Sequence, residues 1–358
     1  MTNIVQLNVP SRRQTSQERH AALMHSFASS RRFGDDVFWL KENAELLNIL
    51  ECTGASVDDQ ALSAYHGFYD KVENRLQFFP QYYRFLLSIC LDLEDLGMTG
   101  NKGAALVEWV SNQGFACAEL SDLQRMEARR LMARRGVDPL THDAGLEDRM
   151  RGFIARSSTF SMPNKKAAYE LTHAVFYLSE YGRKDPMLDS ETRTSLEFTG
   201  LLAFLEQNAD LLAEVCIALQ YGGFAVPDVW QTWLVRHTHL FDVEIGPQTT
   251  PQDDYHEFLV CNWMMSITDH RAFAKPMKPE RMGFFRPEVG TGPLRELSEC
   301  MFKLEDRSND WEAMRPVVLD HLSEDAQTVV SWAEHSCDKF GDFFQGFART
   351  GQALAAIQ

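Results

Sequence analysis

Tyr169 to Gly182 reads YELTHAVFYLSEYG, and its periodicity decides the fold class. Wound as a helix, it places Glu180 within about 20° of His173, with Tyr177 and Tyr169 within about 40° and Glu170 within about 60°. Leu171, Val175 and Leu178 fall on the opposite side. A surface helix pairs one apolar stripe with a Lys/Glu-rich back. Here the second side is His, Tyr and carboxylate, as expected of a helix packed on one side and facing a polar cavity on the other.

Further runs repeat the helical pattern, among them VFWLKENAELLNILECTG (Val37–Gly54) and YYRFLLSICLDLEDLG (Tyr82–Gly97), and strand-like alternation is scarce. The class is all-α. Glycine, the residue favoured just past a helix end, closes successive runs at Gly54, Gly97, Gly136, Gly182 and Gly222. These glycines are 43, 39, 46 and 40 residues apart, about the length of one helical hairpin with its loops. Six or seven stacked hairpins would form a closed α/α toroid, with an open helical solenoid as the alternative.

Residues 1–35 carry Arg12, Arg13, Arg19, Arg31 and Arg32 among polar residues and read as a loosely ordered basic arm with a short helix from about Ser16 to Ser29. Residues 36–358 read as a single helical domain. Its Lys275–Pro293 segment holds four prolines and three glycines and is expected to be a loop. Helices are expected again near Asp310–Leu322 and Ser323–Phe340, followed by a frayed tail after Gly351.

The chain has 358 residues, 44% of them apolar and 24% charged, enough for a sizeable core. A net charge of −16 argues against nucleic acid, which needs a basic footprint. No run of eighteen apolar residues and no secretory leader are visible, so the expectation is a cytoplasmic protein without a membrane partner. Seven cysteines, never in C-x-x-C, read as free thiols in a reducing compartment. Phosphate-binding loops, G-x-G-x-x-G, G-x-S-x-G and H-E-x-x-H are all absent.

Four constellations could carry chemistry. His173 with Tyr177 and Glu180 could act in acid–base catalysis, the carboxylate raising imidazole basicity. His173, Cys216 and His256 could form a three-ligand zinc set with an open position. Glu170 and Asp253, each three residues before a histidine, are alternative ligands for a carboxylate-bridged dimetal site. His237 and His239 form an H-x-H that could chelate if extended.

DDYHEFLVCNWMMS (Asp253–Ser266) is similar to the segment of protein prenyltransferase β-subunits in which a Tyr-His pair opens a helix of the α/α toroid. That resemblance implies zinc on His256. The Asp-x-Cys of those enzymes is Glu214-Val215-Cys216 here, and their Gly/Trp-rich repeats are missing, which speaks against prenyl transfer. ELTHAVFYLSEYG together with YHEFLV also resembles bacterial all-helical families of unknown function, which implies a shared site without naming its reaction.

Two functions follow. One is an enzyme acting on a small or peptidic ligand in a central cavity, through His173 and His256 with zinc as the candidate metal. The other is a non-catalytic helical-repeat module whose acidic concave face takes a basic protein partner.

Overall fold

Polar caps begin many of the helices. In the computed structural model, which describes residues 14–32, 36–288, 290 and 292–350, side chains of Thr15, Asp36, Asn164, Asp189, Asn208 and Ser323 each accept a hydrogen bond from a first-turn backbone N–H. Thr15 and Glu18 form a reciprocal capping box.

The first half contains α1 (Ser16–His25), α2 (Val37–Cys52), the short α3 (Asp59–Ser63), α4 (His66–Tyr69) and α5 (Val72–Phe78), then α6 (Tyr83–Asp95), α7 (Lys102–Asn112), α8 (Asp122–Ala133), α9 (Leu146–Ile154) and α10 (Ser157–Phe160). The middle runs through α11 (Lys165–Leu178), α12 (Ser190–Glu206), α13 (Ala209–Tyr221), α14 (Asp228–Leu240) and α15 (Tyr255–Ile267). The chain then continues through α16 (Leu294–Lys303), α17 (Trp311–His321), α18 (Glu324–Ser336) and α19 (Phe340–Ala348). The protein is all-α, relieved among the described residues by one antiparallel ribbon of β1 (Asp242–Ile245) and β2 (Met282–Phe285) in which Asp242 pairs with Phe285. The Lys275–Pro293 segment, expected to be loop, therefore supplies a strand.

Six helices contact one another in a cycle: α2 with α6, α6 with α8, α8 with α11, α11 with α13, α13 with α15, and α15 with α2. Further helices back them: α7 lies on α6, α9 on α8 and α11, α12 on α11 and α13, and α14 on α13 and α15. Burial separates the layers. Ten of the thirteen residues of α13 are buried, against three of thirteen in α18, and a helix apolar on all sides belongs inside. Helices α16, α18 and α19 pack on α12.

Two expectations change. Residues 16–30 are continuously helical, the last five as a π-turn, and bury Leu23, Met24 and Phe27, so this part of the basic segment is built into the core; residues 1–13 lie outside the described residues. Gly54, Gly97, Gly136 and Gly182 have positive φ as expected, but after α13 it is Gly223, at φ 72°, that turns left-handed. Gly222 still has helical geometry and only caps α13. The tail after Gly351 lies outside the described residues.

A cavity walled by histidines and carboxylates

The wall of one cavity of about 270 Å³ draws a residue or more from each of the six cyclically packed helices. Glu45 and Asn48 come from α2, Arg84 from α6, Arg130 from α8, His173 and Tyr177 from α11, Glu214 from α13, and His256 and Trp263 from α15. Its volume sits just below the range of roughly 300–1,000 Å³ usual for small-ligand sites. His256 and its neighbours also border a wider cleft of about 1,000 Å³ that reaches Asp210, Tyr169 and the strand β2.

His173 is oriented by its own helix. Its Nδ1–H donates to the Tyr169 carbonyl at 2.7 Å, and because a carbonyl only accepts, the neutral ring keeps its lone pair on Nε2. Glu214 lies beside it, with one carboxylate oxygen 3.6 Å from Nδ1 and the same oxygen accepting from the Thr172 hydroxyl. Burial pushes the Glu214 carboxyl above its ordinary value, and the charge of His173 only partly offsets that.

His256 sits between carboxylates on both sides. Its Nδ1 is 3.2 Å from Glu45 Oε2 and its Nε2 is 3.4 Å from Asp210 Oδ1. Burial works against the charged ring, but the hydrogen bond and charge of Glu45, then Asp210 and Glu214, outweigh it and raise His256 to about 9. Asp210 is held by the Tyr169 hydroxyl, which donates to Oδ2 at 2.7 Å. Its Oδ1 is buried without a hydrogen bond. Donor atoms of Asp210, Glu214 and His256 all lie within 4.8 Å of one another, a spacing that can converge on a single ion.

The turn after α11 shapes the aromatic wall. Glu180, Tyr181 and Gly182 adopt φ of 49°, 56° and 84° in succession, a rare conformation for the first two. A side chain at Gly182 would strike the Tyr221 ring. The turn lays the Tyr181 ring parallel to Trp263, at a centroid distance of 5.6 Å and 15° between planes. Phe176 packs 4.9 Å from the same indole.

Among the residues singled out from sequence, His173, Tyr177 and His256 line the same cavity. Tyr177 packs edge-on to His173 at 6.1 Å, and burial holds its hydroxyl far above the ordinary tyrosine value. Three others go elsewhere. Glu180 follows the end of α11, so the extrapolated helical register fails there, and it pairs with Lys184 at 2.8 Å. Glu170 pairs with Lys166. Asp253 is the buried counter-ion of Arg31 at 2.8 Å and accepts from the Phe284 N–H, so neither dimetal alternative is brought to a histidine in the cavity.

Cys216 is fully buried, its thiol pushed up by desolvation, and it is not part of the cavity wall. All seven cysteines are free. His237 and His239 lie in α14, where residues two apart diverge; His237 is buried against Glu257 at 2.7 Å and stacks on Trp233. Glu45, Asp210, Glu214 and Arg130 were not singled out as site residues. Glu214 does carry a sequence signal, being an acid inside the otherwise apolar run Leu211–Leu219, and Asp210 precedes it by one helical turn; Glu45 stands among Lys41, Glu42, Asn43 and Asn48 and is not set apart in the sequence.

Fold and cavity together define an all-helical protein with a carboxylate–histidine cluster in its interior. Residues 1–350 match the family described as Domain of unknown function (DUF6902), and the chain belongs to that family. No curated protein and no solved structure matches it. Among the described residues no helix is long and apolar enough to cross a membrane.

Proposed function

We propose that this protein is an enzyme acting on a small substrate in the central cavity of an α/α toroid, with a divalent cation on Asp210, Glu214 and His256 and His173 as the adjacent base. The cyclic packing of six helices supports the toroid over an open solenoid, since an open array would leave α2 and α15 apart. The observation that carries the site is the convergence of ligand atoms from Asp210, Glu214 and His256 within 4.8 Å of one another, at a carboxylate oxygen, Asp210 Oδ1, that makes no hydrogen bond and has the His256 ring 3.4 Å away. A cation bound there would take the place of the His256 proton as the positive charge between these carboxylates, since an imidazole ligates only when deprotonated.

The chemistry follows from the donor set. Two carboxylates and an imidazole suit zinc, manganese or iron, with no thiolate required. A cation there would lower the pKa of a bound water or substrate hydroxyl. His173 Nε2, which makes no hydrogen bond among the described residues, can take the released proton. The reading of a docking module for a basic partner has less support, because the aromatic anchors Tyr177 and Trp263 are buried around the cavity and are not displayed on a face.

Equilibrium dialysis of tag-free protein against zinc or manganese tests this. One ion per chain is expected in the wild type, with loss in Asp210→Asn and His256→Ala. Absence of a stoichiometric ion at micromolar metal would remove the cation from the mechanism.

A further inference from the structure

The cavity wall also holds a buried cation with open donors, on the same helix as Glu127, whose carboxylate is taken by Arg84. Arg130, on α8, is 6% exposed, and its Nε and Nη1 are buried with no hydrogen-bond partner. No carboxylate of the described residues lies within ion-pair distance of it. It lies over the face of Tyr181, with the guanidinium carbon 4.3 Å from the ring centroid. Asn48, from α2 in the same wall, also has an unpartnered buried amide nitrogen. Arg84, the neighbouring cation, is already engaged by Glu119 and Glu127.

We propose that Arg130, aided by Asn48, is the subsite for the carboxylate of the ligand, and that the ligand is a small carboxylic acid with a planar, aromatic or unsaturated body. A guanidinium presents paired N–H donors that match a carboxylate's two oxygens. A buried guanidinium left unpaired is destabilising, so its orphaned donors mark where a ligand oxygen belongs. Phe85, Phe176, Tyr181 and Trp263 line the same cavity, flat apolar surfaces suited to a planar body. The ligand's carboxylate would be anchored on Arg130 and its opposite end presented toward His173 and Glu214.

The wider cleft that shares His256 with this cavity does not oppose an anion. In the wider cleft, Glu206 pairs with Lys165, Asp253 with Arg31, and Asp254 and Glu257 with Arg286, so most acids there are already compensated.

The inference rests on the proposed function only in placing a ligand in this cavity, and its test needs neither metal nor turnover. Calorimetric titration of chelator-treated protein with benzoate and phenylacetate, against benzyl alcohol and phenylethanol, measures the value of the carboxylate. The acids are expected to bind at least about tenfold more tightly than the alcohols, the size of one charge-assisted hydrogen bond. Arg130→Met should abolish that preference while melting no lower than wild type, and Arg130→Lys should keep part of it. Equal binding of acids and alcohols, no binding of either acid at millimolar concentration, or a preference that survives in Arg130→Met would overturn the proposal. If Arg130→Met does not fold, a preference undiminished in Arg130→Lys overturns it equally. Failure of metal binding in the dialysis experiment leaves this result untouched, and the reverse also holds.

Discussion

Two buried arginines in this molecule have opposite surroundings. Arg31 is fully enclosed, with its guanidinium shared between Glu42 at 3.0 Å and both oxygens of Asp253 at 2.8 and 2.9 Å, and the rings of Phe27, Tyr255 and Phe284 around it. Arg130 is almost as deep, and lies over the Tyr181 ring, yet two of its nitrogens have no hydrogen-bond partner. A buried charge whose hydrogen bonds are complete serves the architecture. One whose donors are left open points to a missing occupant.

The contrast can be broken most sharply at Arg31. Asp253→Ala leaves that guanidinium enclosed without its main partner and should cost about 3–5 kcal/mol in urea unfolding. A loss below about 1 kcal/mol, the scale of a surface pair, would show that the clasp does not hold the fold together.

Glu94 is a second satisfied charge. It accepts from the Tyr69 hydroxyl, the Gly103 N–H and Arg135 at 2.6, 2.8 and 2.9 Å. Burial alone would raise its carboxyl, but those three donors hold it below the ordinary value. Its contribution is therefore complete above the usual glutamate range and is lost as the pH falls through the lowered value. Glu94→Gln should cost about 2 kcal/mol at neutral pH. Its stability should converge with that of the wild type as the pH falls below the lowered value; a gap that stays constant with pH would sink the assignment.

Arg130→Met is expected to move the other way, with an unchanged or higher melting temperature and a gain of up to about 1–2 kcal/mol from removing unsatisfied donors. A clear drop would make Arg130 another Arg31. The smallest effect is expected at Asn208, whose side chain caps α13 just before Asp210 and Glu214. Asn208→Ala should lower stability by about 1 kcal/mol and weaken metal retention; unchanged retention would show that the helix start does not position the two acids.

The helical class and the glycine-closed runs were legible because both are local: a 3.6-residue period and a left-handed residue at the helix end are written within one segment. His173, Tyr177 and His256 could be found for the same reason, as polar residues on helices that otherwise pack. What failed also has a local cause. Glu180 was placed by continuing a helix through residues that turn left-handed two positions earlier than the terminal glycine. Asp253 looked like a ligand because its buried partner, Arg31, is 222 residues away in sequence. Arg130 was invisible for a different reason: it is one of five arginines between Arg125 and Arg135, and only tertiary packing buries this one while Arg129, Arg134 and Arg135 take carboxylate partners.

The span between Arg31 and Asp253 has a consequence for biogenesis. The contact of α2 with α15, and the charge pair beside it, cannot form until the ribosome has released some 270 residues. Until then the nascent chain displays an apolar edge of α2 and an uncompensated guanidinium, the state in which large proteins aggregate or recruit chaperones. Non-local closure of this kind slows folding, because the entropy of a long loop is lost before the contact rewards it. A chain truncated before α15 would therefore lack the final closing step, however sound its individual hairpins.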